Sequence, residues 1–313
     1  MGIAKLNKYF TDNCSKDAIK KIHLKELKSK IIVIDVSIYM YKFLSNGDLM
    51  ENMYLFISIL KNYNIIPIFI FDGKPPEEKR EVLMKRYIEK KQAEKECKEL
   101  EESLEKELTL EGKEEMKKQI LSLKKKSIRI KEKDIESVKK LMTAYGVQYL
   151  NAVQEADQLC GYLANKENVY GCISDDMDMF MYNCKYILRH LSLLNHTAVV
   201  YDRTKICKSL NVSNKDLQDI LITAGSDYNL KSNYTVVQAF NKYKEYKQMN
   251  NSDNYIEYIR NTDKSMDIEK LYKLKSLINS LKDTQISIND VNNEENKKEM
   301  KLLLEPYGFC WCK

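Results

Sequence analysis

Residues 31–37 read Ile31-Ile32-Val33-Ile34-Asp35-Val36-Ser37, four β-branched apolar residues in a row closed by an acid. A run that is apolar at every position has no face to give to water, so it is a strand buried on both sides. Residues 65–72, IIPIFIFD, repeat the pattern and again end in Asp. Between them, Tyr39 to Tyr63 carries helical periodicity, broken at Ser45-Asn46-Gly47-Asp48. Strand, helix and strand in this order predict a parallel sheet covered on both faces. The rhythm resumes with a strand at Val147–Leu150, a helix from Asp157 to Asn165, and strands at Val169–Ser174, Tyr186–Leu191 and Ala198–Tyr201. The first half of the chain is α/β.

Working outward, 313 residues with 43% hydrophobic and 31% charged side chains suffice for a sizeable core under a charged surface. That excludes wholesale disorder, which needs low hydrophobicity and high net charge together. No run approaches the ~18 apolar residues of a membrane span, and the N-terminus lacks the apolar core of a secretory signal. Eight cysteines are scattered without metal-binding spacing; only Cys310-Trp311-Cys312 is close, and C-x-C cannot close a zinc site. They read as reduced intracellular thiols. Lys plus Arg exceed Asp plus Glu by 52 to 46, a net +6, which is compatible with a nucleic-acid partner. Four prolines and nine glycines favour long helices over an all-β design.

The stretch from Glu77 to Asp134 has a different texture: 34 of its 58 residues are charged, 18 basic and 16 acidic. Leu100, Leu104 and Leu108 recur at i+4, so it is helical with a thin apolar stripe. Thr109 to Gly112 is the expected turn between two antiparallel helices. By composition alone this is a solvated helix pair. After Tyr228 the chain turns polar and Lys/Asn-rich with helical rhythm, and no glycine occurs between Gly225 and Gly308. That part reads as a smaller all-helical unit.

In a parallel α/β sheet, ligands bind beyond the carboxyl ends of the strands. Here strand after strand ends in acid: Asp35, Asp72, and Asp176 with Asp178. Glu155 and Asp157 follow the strand at 147–150, and Asp227 closes a helical segment. Each alone has a structural explanation as a helix cap or a turn residue. Together, seven carboxylates at one rim repel each other and need cations between them. Hard oxygen ligands describe a site for two Mg²⁺ ions, with Mn²⁺ as the alternative. His23, His190 and His196 are not arrayed for zinc, and neither a nucleotide-binding G-x-x-x-x-G-K-[ST] loop nor a serine elbow occurs. Carboxylates with metal ions on a basic chain point to phosphodiester hydrolysis.

Met1-Gly2-Ile3, Val33-Ile34-Asp35-Val36-Ser37, Phe71-Asp72-Gly73-Lys74-Pro75-Pro76, Glu155-Ala156-Asp157, Asp175-Asp176-Met177-Asp178 and Gly225-Ser226-Asp227-Tyr228 resemble, in order, the motifs of the flap endonuclease family of 5′-structure-specific nucleases. The resemblance covers roughly residues 1–228 and fills all seven acidic positions. It implies a PIN-like α/β nuclease core with a mostly parallel sheet at 1–228, a helical arch inserted at 77–140, and a helical C-terminal region at 229–313. It implies that Asp35, Asp72, Glu155, Asp157, Asp176, Asp178 and Asp227 hold two Mg²⁺ ions. It also places the charged hairpin over the metal rim, as an arch through which a single strand passes. Lys79 and Arg86, seven residues apart and expected on one helix face, match the family's basic pair at the scissile phosphate. Tyr41 matches an aromatic that stacks on a nucleobase, with core packing as the alternative. Gly2 lies where the family's chain start approaches bent DNA; Leu6 in place of Ser or Thr argues against myristoylation.

The chain also departs from the family. The glycine-rich helix–two-turn–helix that grips duplex phosphates and holds potassium is replaced by Asn229-Leu230-Lys231-Ser232-Asn233-Tyr234-Thr235, without glycine. Asn233 is the residue there best suited to a positive φ. Lys242, Lys244 and Lys247 remain as candidate phosphate contacts. No glutamine-led sliding-clamp motif stands near the C-terminus. These departures fit a divergent member, of host or viral origin. The expected activity is Mg²⁺-dependent cleavage of DNA at 5′ flaps or single-strand/double-strand junctions, leaving 5′-phosphate ends, within the nucleus or cytoplasm or at a cytoplasmic viral replication site. The alternatives are a 5′ exonuclease, a Holliday-junction resolvase, and a non-catalytic DNA-binding scaffold.

Overall fold

The computed structural model describes residues 2–104, 109–228, 234–249, 254–283 and 294–309. Helix α1 (Leu6–Asn13) precedes β1 (Ile19–His23) and β2 (Ile31–Asp35); α2 (Val36–Leu44) and α3 (Leu49–Asn62) lead to β3 (Ile66–Phe71). The charged stretch folds as α4 (Arg80–Leu104) and α5 (Leu110–Ser127), and α6 (Glu132–Ala144) returns the chain to β4 (Gln148–Asn151). Next come α7 (Ala156–Ala164), β5 (Val169–Ile173), a 3-10 turn (Met177–Tyr182), β6 (Tyr186–Ser192) and β7 (Thr197–Asp202). The remaining helices are α8 (Arg203–Leu210), α9 (Asn214–Thr223), α10 (Val236–Gln248), α11 (Tyr255–Thr262), α12 (Ile268–Asn279) and α13 (Lys297–Leu304). Among the described residues no helix is long and apolar enough to cross a membrane.

The strands form one sheet of order β1-β7-β6-β5-β2-β3-β4. It is mostly parallel: β2 pairs with β3 and β5, β3 with β4, and β5 with β6 in parallel, while β7 runs antiparallel to β6 and β1. From β2 the chain first builds outward through β3 and β4, then returns to the other flank of β2 with β5. The β2/β5 boundary is therefore a topological switch point, where diverging loops leave a crevice beyond the strand ends. Alternate residues of β2 and β3 serve different cores. Val33, Ile68 and Ile70 pack with α1, α7 and α9; Ile32, Ile34, Phe69 and Phe71 pack with α2, α3 and α6. Burial on both faces is why these strands carry no polar alternation.

The expected break at 45–48 separates α2 from α3. The Thr109–Gly112 turn shifts: Thr109 caps α5 by accepting the Gly112 N–H, so Leu110 to Gly112 are already helical and the link back to α4 falls at 105–108, outside the described residues. The strand β1 carries no clear sequence signal, because its lysines leave Ile22 as its one buried side chain. Within the 77–140 insertion, only α4 and α5 stand apart; α6 buries Val138, Leu141 and Met142 in the core beside α3. The helices after residue 229 divide between the two faces of the sheet. Those from α10 to α12 join the core of α7 and α9, while Met300 and Leu304 of α13 join the opposite one.

A buried arginine ties the turn after β5 to the helices behind it. Arg203 donates to the Phe180 and Asn214 carbonyls and to the Asn183 and Asn214 side-chain oxygens. Burial pulls its guanidinium down to about 10, and nearby Cys207 and Cys184 offset part of that. Arg203→Met should lower stability by about 2–4 kcal/mol, because main-chain and amide oxygens are left without donors. The check is a urea titration, in which the midpoint falls at constant slope; an unchanged midpoint would mean water replaces the guanidinium at no cost.

Candidate active site: a rim of seven carboxylates

Each acid is delivered by a turn that the backbone requires anyway. Asp35 ends β2 and caps α2, its Oδ1 accepting the Ser37 N–H at 3.2 Å while the Ser174 hydroxyl donates to its Oδ2 at 3.3 Å. Asp72 follows β3 and reaches across to accept the Ala156 N–H at 2.8 Å, at the start of α7. Glu155 stands at the cap position of α7 and Asp157 in its first turn. Asp176 caps the 3-10 turn by accepting the Asp178 N–H at 3.0 Å. Asp227 follows Gly225, whose φ of +68° turns the chain out of α9. Sequence alone offered these caps as alternatives to a site. The structure makes Asp35, Asp72 and Asp176 both.

All seven come together. Burial pushes the Asp35 carboxyl well above the ordinary range, and the charges of Asp72 and Asp176 push it further. Burial likewise raises Asp157, with Asp35, Asp176 and Glu155 adding and Lys79 opposing. Burial raises Asp178, with Asp176 and Asp227 adding. Asp178 is completely buried; the Ile3 N–H eases its charge, yet neither of its oxygens accepts a well-formed hydrogen bond. A buried carboxylate without donors is costly unless a cation completes it. Among the described residues, no three Asp, Glu, His or Cys side chains close on one point in ligating geometry. An ammonium stands among the acids.

That ammonium is Lys79. Its Nζ lies 2.6 Å from Glu155 Oε2 and 4.3 Å from the Tyr228 ring centre. Burial pulls it down, but Asp157, Glu155 and Asp178 outweigh that and push it up to about 12. Lys79 is thus a fixed positive charge at neutral pH, with no role as a proton donor or acceptor there. Arg86 pairs with Asp227 and is itself partly exposed. Lys79 ends a 3-10 turn (Glu77–Lys79) that runs directly into α4, and Arg86 lies further along that helix, so both reach the rim from one continuous stretch.

The other expected site residues are distributed differently. Gly2 lies against the acids: a Cβ there would stand 2.1 Å from Asp176 Oδ1 and 2.6 Å from Asp178 Oδ1, at a φ of +78°. Only a residue without a side chain fits. Gly2→Ala should slow any turnover at this rim about tenfold, the effect of ~1–2 kcal/mol of forced strain; single-turnover rates decide, and an unchanged rate would free Gly2 of this role. Tyr41 is 41% exposed rather than packed in the core, with Lys90 of α4 lying 4.7 Å over its ring. Lys242, Lys244 and Lys247 lie on α10, a helix that carries none of the seven acids. Lys242 pairs with Glu245 at 2.7 Å, Lys247 lies over the Tyr243 ring, and Lys244 is exposed. Asn233 falls outside the described residues.

Three supporting residues were given no site role by the sequence reading. Tyr228 donates its hydroxyl to Glu155 and exchanges a hydrogen bond with Tyr182. Ser174 donates to Asp35 and accepts from the Asp176 N–H, coupling two strand ends. Arg189 of β6 donates to the Asp175 carbonyl at 2.9 Å, while the Asp175 side chain accepts the His190 N–H at 2.7 Å, so the Asp176 loop is held from the neighbouring strand. Tyr228 and Ser174 at least adjoin acidic motifs; Arg189 lies on a strand with nothing local to mark it.

Residues 1–93 match the XPG N-terminal domain and residues 146–227 match the XPG I-region. The interval between them holds the C-terminal part of α4 and all of α5 and α6. Flap endonuclease 1 of Candida dubliniensis is 29% identical over 281 residues, covering 83% of this chain and 72% of that protein. Among solved structures, flap endonuclease-1 from Methanococcus jannaschii superposes with a TM-score of 0.63 at 22% identity, over 95% of this chain and 92% of the other. Human GEN1 in complex with Holliday junction DNA superposes at 0.65 with 15% identity, over 98% and 74%. The last two likenesses are of fold, a PIN-like nuclease sheet with helices on both faces.

Proposed function

The chain belongs to the flap endonuclease family of 5′-structure-specific nucleases, and on that premise we propose that its seven rim carboxylates hold two Mg²⁺ ions and cut DNA at 5′ flaps. The family are metal-dependent DNA nucleases, and this chain is a structure-specific endonuclease of that kind. The finer reading rests on one observation above the rest: Asp178 is fully buried with two oxygens that lack well-formed hydrogen bonds, among acids that raise each other's carboxyls. An all-oxygen, all-anionic donor set suits hard divalent cations. Gly2 leaves open the space beside Asp176 and Asp178 that a side chain would fill.

Asp35, Asp72, Glu155 and Asp157 would hold one ion; Asp176, Asp178 and Asp227 the other. When bound, the ions supply Lewis acidity to a phosphoryl oxygen and make water a nucleophile at neutral pH. Lys79, permanently charged, would neutralise charge that grows on the scissile phosphate. Arg86 would leave Asp227 to fork onto the same phosphate as cations take over the acid. The Tyr228 hydroxyl donates to the same Glu155 oxygen that Lys79 pairs with, which holds that carboxylate's direction. Tyr41 would stack on a base near the cut. In this division residues 1–228 form the nuclease core with its arch, and the helices after 229 carry duplex contacts through Lys242, Lys244 and Lys247.

The test is purified full-length protein with 5′-labelled flap, nicked, blunt and four-way DNA, in Mg²⁺ and in chelator. Flap cleavage near the junction, silenced by chelator, is expected. Preferential cutting of four-way DNA would favour the junction-resolving alternative, and equal inactivity on every substrate would overturn the reading.

A further inference from the structure

The inserted helices enclose a cavity that the rim chemistry does not use. Helices α4 and α5 pack against each other, burying Ala93, Cys97 and Ile120, and there the Cys97 thiol faces the Ile120 carbonyl. Beside this contact they leave a cavity of about 600 Å³ whose exposed lining is mostly apolar, walled by Ile88, Ala93 and Leu123. Ligand pockets commonly measure about 300–1,000 Å³. Ile88 is 59% exposed, and Met84, one turn back, and the adjacent Tyr87 are exposed too. Apolar surface kept open on an otherwise charged helix signals an absent partner. The charged residues of the lining are Arg86, Lys90 and Lys126 against Glu89 and Glu96, a small cationic excess.

Resting on the reading above, we propose that this cavity takes one nucleobase of the single strand that leaves the junction, while its phosphates stay at the mouth. The apolar walls reject a phosphate and accept the face of a base. Continuity with the rim fixes where the strand runs: Arg86 lines the cavity and pairs with Asp227, and Lys90 lines it and lies over Tyr41. An acidic peptide would meet Glu89 and Glu96 and bring no flat apolar face. Gln92, the polar amide of the wall, donates to Glu96 at 2.9 Å. The cavity therefore holds a base by shape and burial, with little preference among the four.

Flap oligonucleotides carrying a single abasic residue, walked outward from the junction, test this directly. With Ca²⁺ replacing Mg²⁺, one position should weaken binding to the wild-type protein about five- to tenfold, and changing which base occupies that position should have little effect. Ile88→Asp, an exposed site where folding is spared, should weaken flap binding similarly, leave nicked duplex without a flap unchanged, and abolish the abasic effect. Leu123→Asp on the facing wall should reproduce it. A flat abasic profile would overturn the proposal, as would Ile88→Asp weakening flap and flapless DNA alike. Wild-type protein that cleaves no flap would instead strike at the function proposed above, before the cavity is in question.

Discussion

Asp176→Asn is expected to reduce cleavage in Mg²⁺ by more than ~10²-fold while leaving flap binding largely intact. The reason lies in what the amide preserves. Asp176 caps the 3-10 turn through Oδ1, and an Asn oxygen accepts the same Asp178 N–H. The turn therefore survives, and what is lost is one negative charge of the rim proposed to hold the cations. The same substitution should stabilise the metal-free protein, because Asp176 is among the charges that raise Asp35, Asp157 and Asp178. The pH dependence has a definite sign. For these three acids the folded form binds protons more tightly than the unfolded form. Their contribution to stability is thus greatest at low pH and declines as pH rises from the ordinary carboxylate range toward their raised values. Metal-free wild type should melt higher in mild acid than at neutral pH by this contribution, and Mg²⁺ should stabilise it most at neutral pH. Thermal melts with and without Mg²⁺, for both proteins, measure this. Near-normal turnover by Asp176→Asn, or an undiminished Mg²⁺ shift, would remove Asp176 from the metal ligands.

Arg86→Ala should lower the single-turnover rate about 10²-fold, the scale of one transition-state donor. Binding should fall much less, since Lys79 at the rim and Lys90 and Lys126 beside the α4/α5 cavity remain. The pairing of Arg86 with Asp227 sharpens the expectation, because a partly exposed guanidinium on α4 can leave that acid without unfolding anything. Its loss also leaves Asp227 uncompensated, so the variant should need no more Mg²⁺ than wild type for half-maximal rate. A parallel drop in binding and rate would make Arg86 a tether. A rate restored by raising Mg²⁺ would make it only a counter-ion for Asp227.

The sheet was legible because burial on both faces leaves no ambiguity in IIVID or IIPIFIFD, and the acids were legible because each ends a recognisable segment. Long helices between 77 and 134 followed from composition in the same way. The edge strand β1 was not legible, since its register comes from pairing with β7 and its lysines face solvent.

Local sequence thus determined which residues end strands, cap helices and carry charge. It could not determine which residues touch. Return of the chain to the far side of β2 brings Asp176 beside Asp35, and that crossover joins acids scattered along the chain into one mutually repelling cluster. Three-dimensional packing likewise chose Lys79 as the ammonium among the acids, seated Gly2 where no Cβ fits, and tied the Asp176 loop to Arg189 on β6. Arg189 also donates to Asn7, 182 positions away in the chain. Charge repulsion and close packing act through space, so they are set by the folded arrangement and leave no mark on the neighbouring residues in the chain.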